Sequence, residues 1–142
     1  MRVAFRVIVA LIAAVALLAA IGAFLPVAHE ATRSAEFNQP PGAVWALIAD
    51  PDRYREWWTG ADVETAVVES VPPSRLVTRI VGETQFGGTW TFEIVPTASG
   101  SRLTITERGE IYNPVFRALA KYAIGYTGTM ESFLEAAKRK LN

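Results

Sequence analysis

The chain has 142 residues, with 14 basic and 14 acidic side chains, one histidine and no cysteine. That length holds one folded domain of ordinary size, and the missing cysteines exclude a disulfide scaffold, thiol catalysis and cysteine-based zinc sites. The even charge balance argues against a nucleic-acid partner, which needs a basic surface to displace counterions from phosphates.

The apolar excess sits near the start. From Val7 to Leu25 every residue is apolar except Gly22, and a helix of about 19 residues spans roughly 28 Å, close to the thickness of a bilayer's hydrocarbon core. Arg2 and Arg6 precede this stretch, whereas Pro26 to Ala35 carries His29, Glu30 and Arg33. The Lys/Arg bias therefore predicts a single-pass anchor with a cytoplasmic N-terminus and the rest of the chain on the outer side. A signal peptide is the competing reading, but its apolar core is usually shorter, and Pro26 spoils the cleavage site that Ala28 would end. Alanines at 10, 14, 16, 20 and 23 give small-residue spacings that can pair two anchors into a homodimer, a pattern that also arises by chance in an Ala-rich helix. The expected division is an anchor (or uncleaved signal) over residues 1–26 and one soluble domain over 28–142.

In the domain, a strand is predicted at about 31–38. Pro40-Pro41 then opens a short helix through Val44, Trp45, Leu47 and Ile48, since proline suits a first helical turn. Asp50-Pro51 ends it and caps a second helical turn running to Trp57 and Trp58; capping explains Asp50 and Asp52 better than a carboxylate pair for acid/base work. Further strands follow at about 62–70, 75–82, 88–96 and 101–111, separated by Pro72-Pro73, by Gly82 to Gly88 and by Ala98-Ser99-Gly100. Trp90, Phe92 and Ile94 alternate with Thr89, Thr91 and Glu93, and Leu103, Ile105 and Ile111 alternate with polar neighbours, so each strand has one buried and one wet face. Asn113-Pro114 starts a helix expected to run from Val115 to Leu141, a stretch with no further proline, about 27 residues and roughly 40 Å long. Its stripe is Phe116, Leu119, Ala123, Tyr126, Met130, Phe133, Ala137 and Leu141. An antiparallel sheet with one apolar face and one long amphipathic helix makes an α+β domain.

These segments resemble the START-like helix-grip superfamily, also called SRPBCC, and within it the polyketide cyclase/dehydrase and lipid-transport group. The resemblance rests on Gln39-Pro40-Pro41-Gly42-Ala43-Val44-Trp45-Ala46-Leu47-Ile48-Ala49-Asp50-Pro51 followed by Trp57-Trp58. It continues through Gly87-Gly88-Thr89-Trp90-Thr91-Phe92, Gly100 to Glu107, and Asn113-Pro114-Val115-Phe116-Arg117. It covers about residues 31–141, in a domain shorter than many relatives. The resemblance implies a curved sheet gripping the C-terminal helix over a hydrophobic pocket, and it implies no fixed catalytic set.

Within such a pocket a few polar groups orient a ligand. Glu107 shares the face of Leu103 and Ile105 and is the candidate acid/base or hydrogen-bonding group; the alternative is a plain ion pair with an arginine such as Arg117. Trp57, Trp58, Trp90, Phe92, Phe116, Tyr122, Tyr126 and Met130 are the candidate ligand-lining residues, against a purely structural role in the core. Adjacent Trp57 and Trp58 are hard to bury together, which places one at a pocket rim or the membrane interface. Gly125 and Gly128 fall in the middle of the predicted helix and read equally as a pocket or slight bend there or as close packing on a bulky sheet residue. His29 stands alone at the membrane edge, with no carboxylate or second imidazole at ligand spacing, so no metal is expected. Serine-nucleophile and phosphate-loop motifs are missing, and nothing demands a cofactor. The leading function is membrane-tethered binding of a small hydrophobic or lipid-like molecule. The alternatives are a cyclase- or hydratase-type enzyme using Glu107 and a tyrosine such as Tyr126, and a ligand-free structural or interaction domain.

Overall fold

The computed structural model describes all 142 residues. An N-terminal helix, α1 (Arg2–Ala23), is long and apolar enough to cross a membrane, and its side chains are almost all exposed. Strand β1 (Ala28–Phe37), helix α2 (Pro41–Ile48) and a 3-10 turn (Pro51–Glu56) follow, then strands β2 (Thr65–Val71), β3 (Arg75–Ile80), β4 (Phe86–Thr97) and β5 (Gly100–Ile111). The strands form one antiparallel sheet in the order β1-β5-β4-β3-β2, so the first strand pairs with the last. The α+β helix-grip arrangement is the one expected, with β1 beginning three residues earlier than the predicted strand and β2 three residues later.

Local chemistry sets the element boundaries. Pro41 occupies the first turn of α2, and the Asp50 carboxylate accepts from the backbone N–H of Asp52, capping the turn that Pro51 opens. Asn113 caps α3 (Pro114–Leu119) by accepting from the backbone N–H groups of Val115 and Phe116.

The predicted single C-terminal rod is corrected to two helices. After α3 the chain makes a π turn (Ala120–Ile124), breaks at Gly125, and resumes as α4 (Gly128–Leu141). The Gly125 N–H reaches back five residues to the Ala120 carbonyl, and Gly125 itself stands at φ +80, a conformation glycine adopts at little cost. A Cβ at Gly125 or Gly128 would meet nothing within 4 Å, so the glycines border open space and close packing is not their reason. The break also interrupts the stripe: Met130, Phe133 and Ala137 are buried, while Phe116 and Ala123 are exposed.

The core lies between the inner face of the sheet and α2, the 3-10 turn and α4, around Phe133. The ring centroids of Tyr54, Trp57, Trp58, Trp90 and Phe92 all lie between 5.0 and 5.7 Å from that of Phe133. Arg33 on β1 donates to Glu131 on α4 at 2.8 Å and holds that carboxyl below the usual carboxylate range, an exposed clasp worth little in stability. Buried Tyr54 donates its hydroxyl to the Ile48 carbonyl at 2.7 Å, and burial pushes its phenol pKa far up, so the bond persists at any ordinary pH. Tyr54→Phe is therefore expected to cost about 1–3 kcal/mol by leaving a carbonyl unpaired, measured as a lower denaturation midpoint in detergent.

The N-terminal helix is not independent of the domain. Helix α1 packs on α3, and a Cβ at Gly22 would overlap the backbone of Pro114, so only glycine permits the approach. The Arg117 guanidinium donates to the Leu25 carbonyl at 3.1 Å. The last turns of α1 and the start of the C-terminal region thus form one joint.

Candidate functional site

Alternation along the strands assembles the site. Cross-strand registry sets Thr78, Trp90, Glu107 and Ala31 in one row across β3, β4, β5 and β1, and Gly88, Gly109 and His29 in the next. Side chains in both rows point to the inner face, beyond the packed core and toward the break in the C-terminal helix. There the sheet and the π turn enclose a cavity of about 1110 Å³ that His29, Trp90, Glu107, Phe116, Ile124 and Tyr126 help to line. The two glycines supply much of the room: a Cβ at Gly109 would overlap the His29 ring, and one at Gly88 would overlap the β5 backbone.

The lining carries polar groups such as Asp62, Glu64, Gln85 and Glu110, and one hydrogen-bonded cluster centred on Glu107. Trp90 Nε1 donates to Glu107 Oε2 at 2.5 Å, and His29 Nε2 lies 2.8 Å from Glu107 Oε1. The side chains of His29 and Glu107 are 13% and 19% exposed, open enough to meet a ligand and sheltered enough for their hydrogen bonds to matter. Both carboxylate oxygens are thereby engaged. With the His29 Nε2–H donating to Oε1, the imidazole keeps an unshared pair on Nδ1, which has no partner in the protein. The His29 ring stacks on Tyr126, with centroids 4.2 Å apart and planes 18° from parallel.

Glu107 faces the gap between sheet and helix, as alternation predicts, but its partners differ from the arginine considered. Arg117 is spent on the Leu25 carbonyl, and Glu107 holds His29 and Trp90 instead. The reading of His29 as solitary is corrected: the β1–β5 registry brings it beside a carboxylate 78 residues away, a relation that no local spacing displays.

Of the other candidate lining residues, Trp58, Trp90, Phe92, Phe116 and Tyr126 lie on the cavity wall. Trp58 is buried and donates its indole N–H to Ser132 at 2.9 Å, tying the loop after the 3-10 turn to α4. Trp57 is half-buried on the opposite side of the core, beside a smaller depression with Leu47 and Leu141. Both indoles therefore find cover, Trp58 under the cavity and Trp57 against Tyr54 and Phe133. Met130 is fully buried behind the wall, and Tyr122 is 68% exposed on the outer side of the π turn.

No family model matches the chain, and no curated protein matches it. Solved structures do. A START superfamily protein from Mycobacterium smegmatis is 15% identical, with a TM-score of 0.61 over 80% of this chain and 97% of its own. A protein from Rhizobium loti is 20% identical, with a TM-score of 0.54 over 78% of this chain and 97% of its own. The di-domain ARO/CYC StfQ from the steffimycin biosynthetic pathway is 12% identical, with a TM-score of 0.59 over 81% of this chain and 51% of its own length. Identities this low speak to fold alone. The domain is similar in fold, distantly but consistently, to the SRPBCC/START-like helix-grip proteins, and it carries an apolar N-terminal helix of membrane-spanning length.

Proposed function

We propose that the protein is a membrane-tethered binding module that holds a small hydrophobic or lipid-like molecule in the cavity between sheet and C-terminal helices. In this reading residues 1–26 are the anchor and residues 28–142 the binding domain, with Arg2 and Arg6 keeping the N-terminus cytoplasmic and the domain on the outer side. The observation that carries it is the cavity itself: about 1110 Å³, with Trp58, Trp90, Phe92, Phe116 and Ile124 among its walls and the hydrogen-bonded pair of His29 and Glu107 among its polar groups. A hollow that combines aromatic walls with placed polar groups suits a ligand whose body is greasy and whose one end is polar.

The test is extraction of the full chain, purified in detergent, with mass spectrometry of the apolar extract. A stoichiometric apolar molecule is expected, and Tyr126→Trp, which thrusts a larger ring into the hollow, is expected to lower its occupancy severalfold. An empty cavity that also takes up no apolar dye would sink the reading.

A second reading, proton transfer on a bound ring, gains from one observation: His29 is oriented by Glu107 as a general base is oriented by a carboxylate. In this reading the base is His29 rather than Glu107, because both oxygens of Glu107 are engaged. Under this reading Glu107→Gln lowers turnover by at least tenfold while ligand affinity changes little. Equal loss of both would assign Glu107 to binding alone.

A further inference from the structure

The segment from Ile111 to Met130 contains Arg117 and Lys121 and no acidic residue, although the chain beyond Pro26 holds 14 acidic against 12 basic side chains. Neither Arg117 nor Lys121 pairs with a carboxylate. Large apolar side chains stand out beside them: Phe116 is 51% exposed, Tyr122 68% and Ile124 76%. Exposed aromatic and aliphatic groups beside an exposed cation, Lys121, with no carboxylate near in sequence, are the composition of a surface that lies in the headgroup layer of a bilayer.

The position of this surface relative to α1 is the independent observation. In α1, the residues that lose exposure are Leu18, Ala19 and Gly22, and α3 packs against this end of the helix. If residues 7–25 span the membrane, α3 sits beside the last two turns of the anchor, at a depth of roughly 5–10 Å from the point where the chain leaves the hydrocarbon. Phe116 and Ile124 also line the cavity while being more than half exposed, so the cavity's mouth runs past them.

We infer that α3 and the π turn are seated in the interfacial layer of the membrane that α1 spans, with the mouth of the cavity opening into the lipid. The inference rests on the reading of α1 as an anchor, and the occupant of the exposed apolar face is the lipid bilayer. Exposed Lys121 then faces anionic headgroups, adding attraction that falls off within a Debye length of the surface, while Arg117 ties α3 to the end of α1 through the Leu25 carbonyl.

The chain has no cysteine, so single cysteines can be placed cleanly for spin labelling of the full chain in vesicles of phosphatidylcholine and phosphatidylglycerol. Phe116→Cys, Tyr122→Cys and Ile124→Cys report the seated face, Leu11→Cys reports the anchor, and Val68→Cys on the distant strand β2 reports water. All five native side chains are exposed, so the fold should survive each substitution. The expected result is deep oxygen accessibility at 11 and intermediate accessibility at 116 and 124, severalfold above that at 68. A label at 11 in the hydrocarbon with labels at 116, 122 and 124 as aqueous as 68 overturns the seating while leaving the anchor intact. A label at 11 in water overturns both. Dipolar broadening at 116 and 124 that disappears on dilution with unlabelled chain would mean that a second copy covers the face, and would overturn the lipid assignment.

Discussion

Phe133→Ala is expected to destabilise the domain by about 3–5 kcal/mol, seen as a fall in the denaturation midpoint of the full chain in detergent. Phe133 is fully buried and touches rings from two separate parts of the chain: Tyr54, Trp57 and Trp58 around the 3-10 turn, and Trp90 and Phe92 on β4. Deleting it removes its transfer free energy and leaves a void lined by rigid rings on a sheet that cannot easily collapse inward. The consequence reaches the site, because Trp58 and Trp90 line the cavity and lean on Phe133 from that side. Ligand occupancy should therefore fall together with stability, and Phe133→Leu should recover much of both. A cost below about 1.5 kcal/mol would mean that the five rings close over the gap and that the aromatic cluster has no single centre.

Much of this fold was legible in the residues, for reasons that are local. Alternation of Trp90, Phe92 and Ile94 fixes a strand and its buried face without reference to any other segment, and Asp50-Pro51 and Asn113-Pro114 mark helix starts by capping chemistry alone. What escaped was decided between segments. A glycine inside a helix costs about 1 kcal/mol, which an amphipathic helix can absorb, so the sequence reads as one helix with at most a slight bend at Gly125 and Gly128. In the structure Gly125 instead takes φ +80 and closes a π turn on the Ala120 carbonyl, and Ile124, Gly125 and Tyr126 at the break become part of the cavity wall. His29 escaped for a similar reason. Its partner is set by antiparallel pairing of the first strand with the last, and its space by Gly109 opposite, an ordinary-looking glycine until the registry shows what lies over it. A signal did exist, since glycine within strand β5 hints at a close approach, but only the sheet order says by what.

His29→Phe should separate the polar and apolar parts of recognition. Phenylalanine can keep the stack on Tyr126 and fill the same space over Gly109, so stability should change by no more than about 1 kcal/mol, apart from the bond lost to Glu107. It removes the one nitrogen lone pair facing no protein partner. Two fluorescent probes with the same alkyl body, one ending in a hydroxyl and one in a methyl group, then make the comparison. In the native chain the hydroxyl probe should bind about 10–100-fold more tightly, the effect of pairing a polar group that would otherwise be buried alone, about 1–3 kcal/mol. In His29→Phe that preference should vanish while the affinity of the methyl probe stays as it was. Glu107→Gln should give an intermediate preference, because an amide still supports the imidazole but no longer fixes which of its nitrogens carries the hydrogen. A hydroxyl preference that survives His29→Phe would move the polar contact to Tyr126 or Trp90 and leave the His29–Glu107 pair as a brace between the first and last strands of the sheet.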